Sequence, residues 1–306
     1  MIQSPGTTTW LITGAQGFLG ANLGQFLEGR VNRIGTARAA AVSPQFDEML
    51  CLDLSRLDEI QEGVRRAQPD VVVHAAALSS HEACENDPDL ARLINVEVTD
   101  RLAQSAEYVG ARFILISTDA VFDGKRGNYR EDDEVSPFSV YGETKLLGER
   151  RAIEATDALV LRTNFFGWSP TGTRSILEFF VNSLTKNLSV QGFNDYIVSS
   201  IYVQDLIQVL WDLDTESASG IYHCVASNAL SKFDFGVAVA HQFGLDSRLI
   251  QSASSPAGAN GISRIRNLSL DTKKAARLLG HPLATQESGL QHAFGDRSLL
   301  RNEILS

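Results

Sequence analysis

WLITGAQGFLGANL, residues 10–23, sets three glycines, Gly14, Gly17 and Gly20, between an apolar stretch and an amphipathic one. Glycines at such a junction allow a tight strand-to-helix turn and let the backbone approach a pyrophosphate. They also let the helix pack closely on the strand while its N-terminus faces the anion. A lone triad is a weak signal, but here a strand pattern precedes it and a helix pattern follows. The second strand pattern then closes in GTARA, residues 35–39, at the distance a dinucleotide-binding unit requires. Gly14, Gln16, Gly17, Phe18, Leu19 and Gly20 are therefore candidate contacts for a dinucleotide.

Outward from that turn, short apolar runs at 33–36, 49–52, 71–74, 113–116 and 159–161 alternate with helical patterns at 18–28, 57–67, 88–109 and 140–155. Such alternation means βαβ units and a parallel sheet covered on both faces. After Arg162 the rhythm loosens. Helices are expected at 175–186, 204–212, 231–243, 271–279 and 287–294, a strand at 220–224, and a loop in SASSPAGANG, 252–261. The expected fold is a Rossmann-type doubly wound α/β sheet with a smaller mixed α/β C-terminal substrate lobe. Residues 1–163, joined by about 195–224, form the first domain, and 164–194 with 225–306 the second.

The 306 residues carry a formal charge of −10, which opposes binding to nucleic acid or to an anionic membrane, since either needs a basic surface. Cys51, Cys84 and Cys224 are far apart and show no CxxC spacing, as expected of a cytoplasmic chain without a disulfide framework. No segment has the length and apolarity of a membrane span or the pattern of a signal peptide. The six histidines show no ligand spacing, so no metal is expected.

Three further stretches bear on a site. Arg38, in GTARA, stands where an acidic residue would hold an NAD ribose, and favours NADP through its 2′-phosphate; a solvated surface arginine is the alternative. Asp53, followed by Leu54 in CLDLS, either bonds an adenine amino group or caps the helix that begins near Arg56. STDAVFDG, residues 117–124, follows a buried strand pattern, so its hydroxyls either face a cleft beyond the strand's carboxyl end or cap a turn. In VYGETKLLGE, Tyr141 and Lys145 stand at i and i+4 on one helical face. An ammonium so placed lowers a phenol's pKa from its free value of about 10, fitting the phenol for proton transfer near neutrality.

Together the glycine triad, STDAVFDG and Tyr-x-x-x-Lys resemble the extended short-chain dehydrogenase/reductases. The longer strings HAAALSSHEACENDPDLARLINVEVTDRLA, SPFSVYGETKLLGE, LRTNFFGW and RNLSLDTKKAARLLG narrow this, from about residue 9 to 295, to a resemblance to the dTDP-4-dehydrorhamnose reductases and related sugar-nucleotide reductases. The resemblance implies a catalytic trio of Thr118, Tyr141 and Lys145, with Thr118 orienting a substrate carbonyl and Tyr141 protonating it as hydride arrives from nicotinamide. It implies that Ala75, Ala76 and Ala77 let a cofactor lie over the fourth strand, that Asn95 belongs to the cofactor site, and that His81 lies in a loop near the cleft. Asp119, Ala120 and Asn164 are the implied substrate contacts. Phe165 and Trp168 offer aromatic faces or belong to the core, and Arg264 offers a fork to the nucleotide diphosphate.

Ala120 departs from the Tyr common in rhamnose-type reductases, and DYIVSSIYVQDL, 195–206, replaces the family's Pro-Thr loop. The implied activity is NADPH-dependent reduction of a nucleotide-linked 4-keto-6-deoxysugar, with NADH as the alternative cofactor and a homodimer admitted. Two rivals stand beside it: a C4 epimerase holding NAD, and a non-catalytic cofactor-binding regulatory subunit.

Overall fold

The structure is a computed structural model that describes residues 8–255 and 266–297. In chain order the elements begin β1 (Thr9–Thr13), α1 (Phe18–Phe26), β2 (Asn32–Ala37), β3 (Glu48–Cys51), α2 (Leu57–Ala67) and β4 (Val71–His74). There follow α3 (His81–Asn86), α4 (Pro88–Arg92), α5 (Val98–Val109), β5 (Arg112–Thr118), α6 (Val140–Ala155) and β6 (Leu159–Thr163). Then come β7 (Phe165–Phe166), α7 (Ile176–Thr185), β8 (Val190–Phe193), β9 (Tyr196–Val198), β10 (Ile201–Tyr202), α8 (Val203–Thr215) and β11 (Gly220–His223). The chain closes with β12 (Leu230–Ser231), α9 (Lys232–Phe243), β13 (Ile250–Ala253), β14 (Arg266–Asn267), α10 (Lys273–Leu279) and α11 (Gln286–Asp296).

The chain divides into two compact units. The first runs to Ser117 and includes Pro137–Leu161 and Ala218–Ile221; the second comprises Thr118–Ser136, Arg162–Ser217 and the described residues from Tyr222. The division therefore differs from one at 163, and the second unit is no smaller than the first, because it takes in 118–136 and all of 162–217.

In the first unit the parallel sheet has the order β11-β6-β5-β4-β1-β2-β3, the doubly wound arrangement expected from the sequence. Leu11, Val72, Phe113 and Leu115 from its strands pack with Ile60, Val64, Leu102 and Ala106 from α2 and α5 in a fully buried cluster. Helix α2 sits where the pattern puts it because its ends suit the helix dipole, Asp58 and Glu59 in the first turn and Arg65 and Arg66 in the last. The helical pattern at 88–109 is not one α-helix: Leu93–Glu97 forms a π-turn between α4 and α5. Gly148 on α6 lets this turn approach closely, since a Cβ there would stand 2.4 Å from the Asn95 carbonyl oxygen.

The second unit holds small sheets, β12-β9-β14, β13-β8 and β10-β7. Its interior is aromatic: Phe166 meets Phe235 edge-on at 4.9 Å between ring centres, and Phe243 meets Phe294 at 5.2 Å.

Candidate functional site

The first unit supplies a cradle at the turn between β1 and α1. Gly14 has φ of +70°, and a Cβ on it would stand 2.9 Å from the backbone nitrogen of Ala76. A Cβ on Gly20 would stand 2.2 Å from the Gly14 carbonyl oxygen, so α1 begins as close to the strand as backbone allows. Ala75, Ala76 and Ala77 are half-exposed beside this turn, Gln16 is exposed, and Phe18 is half-buried. The Leu19 side chain is buried in the core and leaves only backbone to a ligand. A small-residue turn at a helix N-terminus, floored by alanines, fits a dinucleotide pyrophosphate.

Beneath the cradle runs a buried polar chain. The Ala76 N–H donates to Thr13 Oγ1 at 3.2 Å, Thr13 Oγ1 meets His74 Nδ1 at 2.7 Å, and His74 Nε2 meets Thr99 Oγ1 at 3.1 Å. Thr99 in turn donates to the Asn95 carbonyl at 2.9 Å. One assignment satisfies every partner: Thr13 donates to Nδ1, and His74 carries its proton on Nε2. Burial, reinforced by the Lys145 charge, pulls the His74 pKa down to about 3, so the ring is neutral.

Asn95 belongs to this scaffold. Its amide accepts from Leu78 N at 2.9 Å and donates to Leu78 O and Thr144 Oγ1, each at 3.1 Å. With those groups engaged and only 1% exposure, Asn95 fixes the segment after the alanines and is not itself a surface for cofactor, a correction to its expected role. Arg38 is exposed after the end of β2. Asp53 accepts from the Ser55 backbone N–H at 3.0 Å and from its hydroxyl at 2.8 Å, so it closes a turn rather than capping α2. Leu54 packs against the core cluster.

Helix α6 carries Tyr141 and Lys145. It starts where the Ser139 hydroxyl accepts from the Gly142 N–H at 3.2 Å, which sets the register of both residues. Tyr141 is half-buried, its ring 4.9 Å from that of His81. His81 is exposed and opens the short helix α3 behind the cap Ser80, so it lies on a helix, not in a loop. Lys145 is 3% exposed; its ammonium donates to the Ile116 carbonyl at 2.7 Å, and burial, opposed by Glu149, brings its pKa down to about 8.

Ser117 does not face a cleft. Its hydroxyl donates to the buried Glu149 carboxylate at 2.5 Å. Sequence reasoning passed over Glu149, although its place one turn beyond Lys145 on the same face was visible.

In the second unit, Thr118 caps the turn Asp119–Val121, accepting from the Ala120 N–H and donating to Asp119 Oδ1, both at 3.1 Å. Asp119 Oδ2 accepts from Asn164 Nδ2 at 2.8 Å, and Asn164 Oδ1 accepts from the Ser200 hydroxyl at 2.6 Å. Burial drives the Asp119 pKa up to about 6 against these hydrogen bonds and the Lys232 charge. Ala120, in the same turn, is 3% exposed. Of the two readings of Trp168, core is the one that fits: it is 4% exposed, its indole N–H donates to the Ala293 carbonyl at 2.9 Å, and its ring meets that of Phe243 in a T-shaped contact. Phe165 is half-buried in β7, and Arg264 lies outside the described residues.

The same unit holds a cavity of about 500 Å³ lined by Arg174 and its neighbours just before α7 and by residues of α7, β8 and α9, including Phe179, Phe193 and Lys232. Among the described residues no group of three or more His, Cys, Asp or Glu converges on a metal position, and no helix is long and apolar enough to cross a membrane.

The model of the RmlD substrate binding domain family matches residues 8–298. The chain belongs to this family. The methionine adenosyltransferase 2 subunit beta of Pongo abelii is 31% identical over 280 residues, 88% of this chain and 81% of that one. A solved structure of a hypothetical dTDP-4-dehydrorhamnose reductase from Sulfolobus tokodaii superposes with a TM-score of 0.80 at 27% identity, covering 91% of this chain and 97% of that one. The dTDP-4-dehydrorhamnose reductase of Bacillus anthracis, solved in complex with NADP, shares the fold, with a TM-score of 0.81 at 24% identity over 95% of this chain and 99% of that one. This RmlD-type chain thus resembles the dTDP-4-dehydrorhamnose reductases and related sugar-nucleotide reductases.

Proposed function

We propose that the chain is an NADPH-dependent reductase that converts a nucleotide-linked 4-keto-6-deoxysugar to its 4-hydroxy sugar. The observation that carries this is Tyr141 with the buried, carbonyl-anchored Lys145 one turn on, in the unit whose glycine turn fits a dinucleotide. Family membership supports the substrate class. The exposed Arg38 after β2 and the NADP held by the Bacillus anthracis reductase support NADPH over NADH.

When bound, the nicotinamide supplies hydride to the carbonyl carbon. Tyr141 gives its phenolic proton to the carbonyl oxygen, and the Lys145 ammonium favours the phenolate left behind. Thr118, whose hydroxyl donates to Asp119, is the third residue that the resemblance to the sugar-nucleotide reductases implies.

The likeness to the methionine adenosyltransferase 2 subunit beta favours a second reading, a cofactor-binding subunit of a larger assembly. The two separate in one assay: NADPH oxidation by the purified chain alone against a panel of dTDP- and UDP-linked 4-ketosugars. The reductase reading expects turnover on at least one sugar, and a loss of about 10²-fold or more in Tyr141→Phe with NADPH affinity intact. Cofactor binding with no turnover on any sugar sinks it and leaves the subunit reading.

A further inference from the structure

Helix α6 buries two opposite charges one turn apart, Lys145 at 3% and Glu149 at 1% exposure. At i and i+4 they share a face of the helix. Both are held by the end of β5, on consecutive residues: the Lys145 ammonium donates to the Ile116 carbonyl at 2.7 Å, and the Ser117 hydroxyl donates to Glu149 Oε1 at 2.5 Å. The strand end thus fixes cation and carboxylate close to one another. A carbonyl gives an ammonium a hydrogen bond but no charge, and an ammonium withdrawn from water needs a counter-charge to keep its proton. Among the described residues, Glu149 is the carboxylate whose charge acts on Lys145, and its attraction opposes the effect of burial. The other ionisable groups around α6 are engaged elsewhere or uncharged. His74 of β4 is buried and neutral, Glu85 of α3 takes the Val140 N–H at the helix start, and Glu107 of α5 takes the Thr156 hydroxyl past its end.

We propose that Glu149 is a positioning residue for the reduction, the buried counter-charge that keeps Lys145 an ammonium on the face of Tyr141, with Ser117 holding the carboxylate in place. Glu149 touches no reacting atom and acts through Lys145. Without it the lysine sheds its proton at lower pH, and the phenolate left on Tyr141 loses its electrostatic support. The proposal rests on the reductase reading for the step that the charge serves, while the charge pair itself belongs to the chain without ligand.

The test is the titration of Lys145 itself in the full chain without ligand. Its Cε magnetic resonance is followed in protein grown on isotope-labelled lysine and assigned by its absence from Lys145→Arg. The wild-type midpoint should lie at about 8. Glu149→Gln keeps an acceptor for Ser117 and loses the charge, so the midpoint should fall by about one to two pH units; Glu149→Asp keeps the charge and should restore most of that shift. In NADPH oxidation the alkaline limb of kcat should move with the midpoint, with KM for the sugar little changed. A midpoint that stays in place in Glu149→Gln overturns the proposal and leaves Glu149 a packing role. If Glu149→Gln does not fold, Lys145→Met decides. A buried Glu149 deprived of its cation takes up a proton in the fold, so the stability of Lys145→Met relative to wild type should fall as pH rises from about 5 to about 7.5, measured by urea unfolding. A difference independent of pH overturns the proposal. A shifted midpoint in a chain that turns over no sugar upholds the charge pair and overturns the reductase reading, whereas an unmoved midpoint in a chain that does turn over removes the proposal alone.

Discussion

The ammonium of Lys145 donates to the backbone carbonyl of Ile116 at 2.7 Å, which ties the cation of α6 to the carboxyl end of β5. A lysine chain has four rotatable bonds, and this anchor removes most of that freedom before any ligand arrives. The position on the helix brings Tyr141 onto the same face, and the anchor fixes where the charge stands.

That charge is the most exposed to pH. Burial brings the Lys145 pKa down to about 8, so the ammonium is present below that pH and is lost as pH rises through it. Sugar reduction should therefore decline as pH rises through about 8, with Tyr141 losing its electrostatic support. Lys145→Arg keeps a charge that does not titrate in this range and should remove the alkaline limb, even at a lower rate. A limb of the same midpoint in Lys145→Arg would assign it to another group.

The cradle makes a steric prediction. In Gly20→Ala the new Cβ has the Gly14 carbonyl oxygen at 2.2 Å and the Ala15 Cα at 2.9 Å, both backbone, so α1 must move away from the turn. NADPH affinity should fall by about 10-fold or more, with thermal unfolding at lower temperature. Unaltered NADPH binding by fluorescence titration would mean that the dinucleotide does not sit on this turn.

How much of this was legible follows the physics of each element. Helices α2 and α6 match their sequence patterns because α2 has dipole-complementing charges at both ends and α6 has the Ser139 cap. The π-turn at Leu93–Glu97 was hidden, since one extra residue in a turn barely alters hydrophobic spacing. Strands of two residues, such as Phe165–Phe166 and Leu230–Ser231, cannot display a period of two and went unseen. At the site, alternation along β5 could have separated Ser117 from Thr118, yet only the fold shows that Ser117 serves Glu149.

Cofactor preference turns on Arg38, an exposed guanidinium after the end of β2. Arg38→Ala should weaken NADPH more than NADH, by about 1 to 3 kcal/mol of preference, if the fork holds a 2′-phosphate. The measurement is the ratio of dissociation constants for the two cofactors in wild type and variant. An unchanged ratio would return Arg38 to the solvated surface.

Asp119 makes the sharpest prediction about stability. Its carboxyl is buried and its pKa is raised to about 6, against 3.8 in the unfolded chain, even though Asn164 and Thr118 both donate to it. Between those two values the folded protein holds a proton that the unfolded chain releases. The contribution of this group is therefore fully present below about pH 4 and is lost as pH rises through 6. Asn has no proton to lose, and by turning its oxygen toward Asn164 and its amide toward Thr118 it keeps both partners. The stability of Asp119→Asn relative to wild type should thus improve by up to about 3 kcal/mol between pH 4 and pH 7, measured by urea unfolding at a series of pH values. A difference that stays constant across this range would show that the fold does not raise the Asp119 pKa above its unfolded value.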